Sequence, residues 1–354
     1  MQLPSVVLHD HLDGGLRPAT VVELAAAVGH VLPTDDPDDL ADWFDQGRSG
    51  SLERYLEAFV HTVSVMQTAE AITRVAREAV EDLAADGVVY AEIRFAPHLL
   101  TRRGLSPDAV VEAALSGMAA GAAKTGMEWG LILDAMRQDD DSLDVARLAV
   151  RHAGHGVVGF DLAGPEAGFP PDRHLAAIRY VQEAGLHLTL HAGEAGGLAS
   201  LASAVHRCHT ERIGHGVEVI DDCTVRDGEI VSLGPLAAAI RDRRLPLEIC
   251  VSSNLHTKGW LPGDHPVGML HRAGFAVTLN TDNRLMSRTS MSAEFELVRR
   301  HQGFDVEDLL AVTRTALDAA FCPADVKRRL WEDVILPAYR AAGARGGVSA
   351  RAGS

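Results

Sequence analysis

The stretch Val6-Val7-Leu8-His9-Asp10-His11-Leu12-Asp13-Gly14 opens as a β-branched apolar run and closes in polar residues. Successive side chains on a strand point to opposite faces, so His9 and His11 project the same way and can close on one metal ion. Seven further short runs of the same kind follow, at 88–93, 129–133, 157–161, 186–191, 212–215, 247–251 and 276–280. Longer segments with helical spacing of Ala, Val, Leu and Ile separate them, as at 71–85 and 107–124.

Eight strands alternating with helices predict an α/β fold, a (β/α)8 TIM barrel, which closes without edges where a doubly wound sheet would leave two. The connection from Arg17 to Asp86 is too long for one helix and predicts extra helices after strand 1 that form a lid over the barrel mouth. Residues 1–340 read as a single catalytic domain without internal repeats, and 341–354, which lack apolar periodicity, as a tail without fixed structure.

A net charge of −16 disfavours binding nucleic acid through its phosphates. The dense acidic stretch Asp35-Asp36-Pro37-Asp38-Asp39 reads as a surface loop. With a mean hydropathy of +0.03 and no long apolar run, the chain is expected to have no membrane span. Cys208, Cys223, Cys250 and Cys322 are widely spaced and read as free thiols of a cytoplasmic protein. His9 and His11 lie so near the start that a cleaved targeting peptide there would remove them.

Catalytic groups of such a barrel gather at the C-terminal ends of its strands, and polar residues do stand there. Strand 1 ends in His9 and His11, strand 4 in Asp161-Leu162-Ala163-Gly164, and strand 5 in His191-Ala192-Gly193-Glu194. Strand 6 ends in His215, strand 7 in Ser252-Ser253-Asn254, and strand 8 in Thr281-Asp282-Asn283. Three imidazoles, His9, His11 and His191, with the carboxylate of Asp282, form a donor set suited to a zinc-like ion with one position left for water. Paired-metal barrels place a bridging lysine at the end of strand 4. The only lysines here are Lys124, Lys258 and Lys327, so one metal is expected.

These segments, together with Arg212-Ile213-Gly214-His215-Gly216 and the region from Val88 to Leu100, resemble the adenosine deaminase family of the amidohydrolase superfamily, in order and spacing, from residue 5 to about residue 290. The resemblance implies an enzyme with one Zn2+ per chain that converts adenosine or 2′-deoxyadenosine to the inosine compound and ammonia. It implies that His215 orients the attacking water and takes its proton, and that Glu194, its pKa raised by burial, protonates purine N1. By the same resemblance the Gly164 amide meets N3, Asp13 accepts from the 5′-hydroxyl of the sugar, and His11 contacts the substrate as well as the metal. Leu52, Tyr55, Leu56 and Phe59, at i, i+3, i+4 and i+7, are either the family's hydrophobic gate or the core face of a helix.

The chain also departs from the family. Asn283 replaces the aspartate that meets N7 in animal members, and its amide can donate to that nitrogen. Val251 stands where bacterial relatives carry proline before Ser252-Ser253-Asn254. Gly196-Gly197 replaces a bulky residue and is expected to widen the pocket, so other 6-aminopurine compounds (adenine, aminodeoxyfutalosine, a nucleoside antibiotic) are the alternative substrates. The expected partner is thus a small purine nucleoside, with neither nucleic acid nor membrane.

Overall fold

The computed structural model describes residues 2–45 and 49–351. Eight parallel strands pair in sequence order: β1 (Ser5–His11), β2 (Val88–Phe95), β3 (Glu128–Met136), β4 (Val157–Ala163), β5 (His187–Ala192), β6 (Arg212–His215), β7 (Leu247–Ile249) and β8 (Val277–Leu279). The last strand returns to the first. His11 N–H donates to the Asp282 carbonyl at 2.7 Å, and Asp282 N–H to the His9 carbonyl at 2.9 Å. Asp10, pointing away from its two histidine neighbours, accepts from Thr281 Oγ1 at 2.7 Å and Arg284 Nε at 2.8 Å, which fastens the seam from outside. The expected (β/α)8 barrel is therefore the fold.

Helices return the chain between strands, and their ends follow from sequence. Thr68 caps Ala69–Ala85 by accepting from Ala71 N–H, and Ser106 caps Pro107–Thr125, whose first residue is the proline that this position tolerates. Four helices precede the first of these: Pro18–Val28, Pro37–Phe44, Leu52–Glu57 and Phe59–Val65. They are the excursion that the long first connection predicts. The acidic stretch 35–39 is not a loop, because Asp36 accepts from Asp38 and Asp39 N–H and starts the helix Pro37–Phe44. Carboxylates in a first helical turn complement the helix dipole.

Two further features concern the surface. Cys223–Arg226 and Glu229–Leu233 form an antiparallel hairpin outside the barrel, turned by Asp227-Gly228, a pair suited to the positive φ of 51° and 76° there. The final helix runs from Leu336 to Arg351, over part of the segment expected to lack structure, and 352–354 lie outside the described residues. Among the described residues no helix is long and apolar enough to cross a membrane.

The barrel interior is polar in its middle. Arg94 of β2 donates to Asp161 at 2.6 Å and to Glu248 of β7 at 2.9 Å, and Arg212 of β6 donates to Glu248 at 2.7 Å and Glu92 at 2.5 Å. Tyr90 adds a hydrogen bond to Glu92, and Thr189 one to Glu248, each at 2.9 Å. All these side chains are buried, so each charge is held by opposite charge and hydrogen bonds in place of water.

Candidate active site

On top of that ionic layer, at the C-terminal ends of the strands, the structure brings His9, His11, His191 and Asp282 together. His11 Nε2 lies 3.3 Å from His191 Nε2 and 3.4 Å from Asp282 Oδ1, which is 3.5 Å from His9 Nε2. Each ring has a carboxylate on its other nitrogen. His9 Nδ1 is 3.0 Å from Glu248, His191 Nδ1 is 2.8 Å from Asp161 though off the line of a good hydrogen bond, and His11 Nδ1 is 3.5 Å from Asp134. A carboxylate behind a histidine fixes the Nδ1–H tautomer and leaves the Nε2 lone pair free for a cation. His9 Nε2 is buried with no hydrogen-bond partner. The donor set fits a divalent metal ion.

The charges agree with that fit. Burial holds His191 below the usual imidazole range and His11 well below it, so both present lone pairs. Burial and the charge of Arg94 would lower His9 too, but the carboxylates of Asp282 and Glu248 beside it take it up, so a proton there does what a cation would. Despite burial, Asp282 is pulled well below the carboxylate range by His9 and His215. Asp282 and His215 both hold positive φ, 56° and 60°, a left-handed backbone costing each about 1–3 kcal/mol that aims both side chains at the centre. Cys250 is close enough to join His9, His215 and Asp282 around an ion, and burial pushes its thiol far up in the absence of one.

His215 and Glu194 face each other beside this cluster, Nε2 to Oε2 at 3.5 Å. Glu194 is 4% exposed, its Oε1 has no partner, and burial followed by the charges of Asp282 and Glu166 raises its carboxyl well above the usual range. Both residues open onto a cavity of about 410 Å³, also walled by His11, His191 and Asp282. Its other walls are mostly apolar, which suits a flat heterocycle with a few polar edges.

A family model described as adenosine deaminase matches residues 4–337. The chain belongs to the adenosine deaminase family. It is a hydrolase of that family, 50% identical over 344 residues to adenosine deaminase 1 of Streptomyces coelicolor, with 95% of this chain and 87% of that one covered. Among solved structures it is similar to the adenine deaminase of Arthrobacter aurescens, with a TM-score of 0.83, 25% identity, and 96% of this chain and 98% of that one covered. It also matches the Arabidopsis N6-mAMP deaminase, with a TM-score of 0.78, 29% identity, and 93% and 96% covered.

Within this adenosine deaminase-family fold, the expected substrate side also lines the cavity. Asp13 is buried with Oδ1 unpartnered, and burial raises its pKa to about 7. Asn283 Oδ1 is likewise unpartnered. Gly164 has a φ of +94°, a left-handed backbone conformation that favours glycine. Leu52, Tyr55, Leu56 and Phe59 all line the cavity, and Tyr55 also belongs to the core, so gate and core face are one surface. Its hydroxyl meets Ser287 Oγ at 2.6 Å, tying the lid to the loop after β8.

Three features lay beyond the sequence reading. Asp134 of β3 lines the cavity at 1% exposure with both oxygens unpartnered; its only signal was an acid ending the run Leu131-Ile132-Leu133. Glu166 accepts from three successive amides, Gly193 and Ala195 at 2.6 Å and Glu194 at 2.9 Å, and so fixes the turn that carries Glu194. Glu166 also corrects the expectation for Gly196-Gly197. A Cβ on Gly196 would stand 2.7 Å from the Glu166 side chain, and neither glycine lines the cavity. The space left by the glycine is filled by Glu166, and the pocket is not widened.

Proposed function

We propose that the protein is a zinc-dependent deaminase that converts adenosine and 2′-deoxyadenosine to inosine and 2′-deoxyinosine with release of ammonia. The observation that carries this reading is the buried, unpartnered Glu194 carboxyl facing His215 beside the histidine and Asp282 cluster, at one wall of an apolar cavity. His9, His11, His191 and Asp282 would hold one zinc ion. When bound, zinc acts as a Lewis acid that makes hydroxide available at neutral pH.

The residues of the chain supply the rest. Attack at C6 of the purine places negative charge on N1, and a Glu194 kept protonated by burial can neutralise it there. Gly164 N–H is suited to N3 and the Asn283 amide to N7. The buried Asp13 and His11 are suited to the sugar. The lid residues cover the base and keep water from the reacting carbon.

The cavity also favours a nucleoside over a nucleotide. Asp13, Glu53, Glu57 and Asp134 line it, and among the described residues no lysine or arginine does. A phosphate would enter against these carboxyl groups with no lysine or arginine to receive it. Following absorbance at the purine band, adenosine and 2′-deoxyadenosine should give the highest kcat/KM in a panel with adenine, 5′-substituted adenosines and AMP. Rapid turnover of adenine or AMP beside negligible turnover of adenosine would reverse the assignment.

A further inference from the structure

Behind His215, on the side away from the cavity, runs a line of three buried hydrogen bonds. Val267 N–H donates to His265 Nδ1 at 3.1 Å, His265 Nε2 lies 3.3 Å from Asn254 Oδ1, and Asn254 Nδ2 lies 3.1 Å from His215 Nδ1. His265, Asn254 and His215 are each no more than 1% exposed, so water cannot rearrange the pattern. The first bond sets the direction of the rest, because a backbone N–H is always a donor.

With that donor fixed, His265 Nδ1 must carry a lone pair, and a hydrogen on it would face another hydrogen. Burial takes the His265 pKa down to about 3, so the ring is neutral and its hydrogen is on Nε2. The Asn254 atom opposite must then be its oxygen, which removes the usual freedom to exchange amide oxygen and nitrogen. Its NH2 therefore points to His215 and donates to Nδ1. A neutral His215 that accepts at Nδ1 carries its hydrogen on Nε2, the nitrogen facing Glu194 and the cavity.

We propose that His265 is a positioning residue which, through Asn254, fixes His215 as the Nε2–H tautomer, so that His215 presents a hydrogen-bond donor to the reacting centre. The resemblance to the family implies that this histidine orients the attacking water, and a donor on Nε2 suits that role. The placement of the hydrogens stands on the buried bonds alone, and its effect on turnover rests on the deaminase reading.

The test uses metal-loaded protein labelled with [15N]histidine, in which magnetic resonance separates protonated from bare ring nitrogens. His215 and His265, assigned by substitution, should both be protonated at Nε2; a bare Nε2 on His215 overturns the proposal. Asn254→Asp sharpens it. A carboxylate accepts from Nδ1–H and so moves the His215 hydrogen off Nε2, which should invert the spectrum and lower kcat by about 1,000-fold or more, as a wrong tautomer does elsewhere. If His215 were a base, the same change would complete a carboxylate–histidine pair, and unchanged or increased turnover would refute the donor role.

His265→Gln, which can accept from Val267 and donate to Asn254, should keep the wild-type tautomer and most of kcat. His265→Met should give mixed tautomers and about a tenfold loss. Equal losses in the two variants, with an unchanged His215 spectrum, would reduce His265 to packing. The predicted spectrum in a protein that does not deaminate adenosine would break the functional reading and leave the relay standing.

Discussion

The interior of the barrel holds two polar layers of opposite character. In the middle layer, Arg94 and Arg212 are matched by Glu92, Asp161 and Glu248, and nearly every polar atom has a partner. In the layer above, at the strand ends, His9 Nε2, Asp13 Oδ1, both oxygens of Asp134, Glu194 Oε1 and Asn283 Oδ1 are buried without one. Leaving a buried polar group unsatisfied costs about 1–3 kcal/mol. The lower layer is therefore finished by the chain itself. The upper layer is completed only by what binds there.

The largest expected effect lies in the upper layer: Asp282→Ala should lose both metal and turnover, and stoichiometric zinc in that variant by elemental analysis would remove Asp282 from the ligand set. Glu194→Gln should keep its zinc and lower kcat by about 100- to 10,000-fold, the usual worth of a positioned proton donor. Near-normal turnover would end its role as the acid.

Effects in the lower layer should instead be on stability. Glu248→Gln removes the carboxylate that bridges Arg94 and Arg212 and backs His9, leaving each arginine one carboxylate, Asp161 or Glu92, and should destabilise the fold by about 1–3 kcal/mol in urea denaturation through weakened hydrogen bonds to charge. A loss under 1 kcal/mol would mean that the lower layer is not the closed system described.

Asp13 connects the comparison to pH. Its folded pKa of about 7 lies above the unfolded value, about 3.9, so its stabilising effect is complete below about pH 4 and is lost as pH rises through about 7. Measured on metal-free protein, the wild type should lose up to about 4 kcal/mol relative to Asp13→Asn between pH 4 and pH 8; parallel profiles would contradict this. The smallest effect is expected at Asp134. Asp134→Asn keeps the volume of a side chain that makes no hydrogen bond and should shift stability by less than about 1 kcal/mol, so a large change in Tm would show that Asp134 carries more than its contacts suggest.

Much of this was legible in the sequence because it depends on local pattern. The β-branched runs mark all eight strands, and each expected site residue lies at or just beyond the end of one, so that barrel closure alone brings His9, His191 and Asp282 together. The parts that were not legible depend on partners far apart in the chain. Nothing near Glu166 announces that it accepts from the amides of 193–195, and nothing near His265 announces Asn254 and His215 as its successors. An acid in a Gly-Pro-Glu turn and a histidine before proline have ordinary local readings. Gly196 misled for the same reason: a missing side chain reads as space until the group occupying that space is known.

The seam where β8 meets β1 places three of the expected ligands on its two banks, His9 and His11 on one and Asp282 on the other. A ribosome releases the two histidines before any of the strands from β2 to β8, and the aspartate only after most of the barrel has been made. A nascent chain therefore exposes half a metal site for most of its synthesis, and full affinity appears only when the two banks zip together. An ion held there would act as a clasp: whatever binding energy it supplied would also be energy holding the first strand to the last.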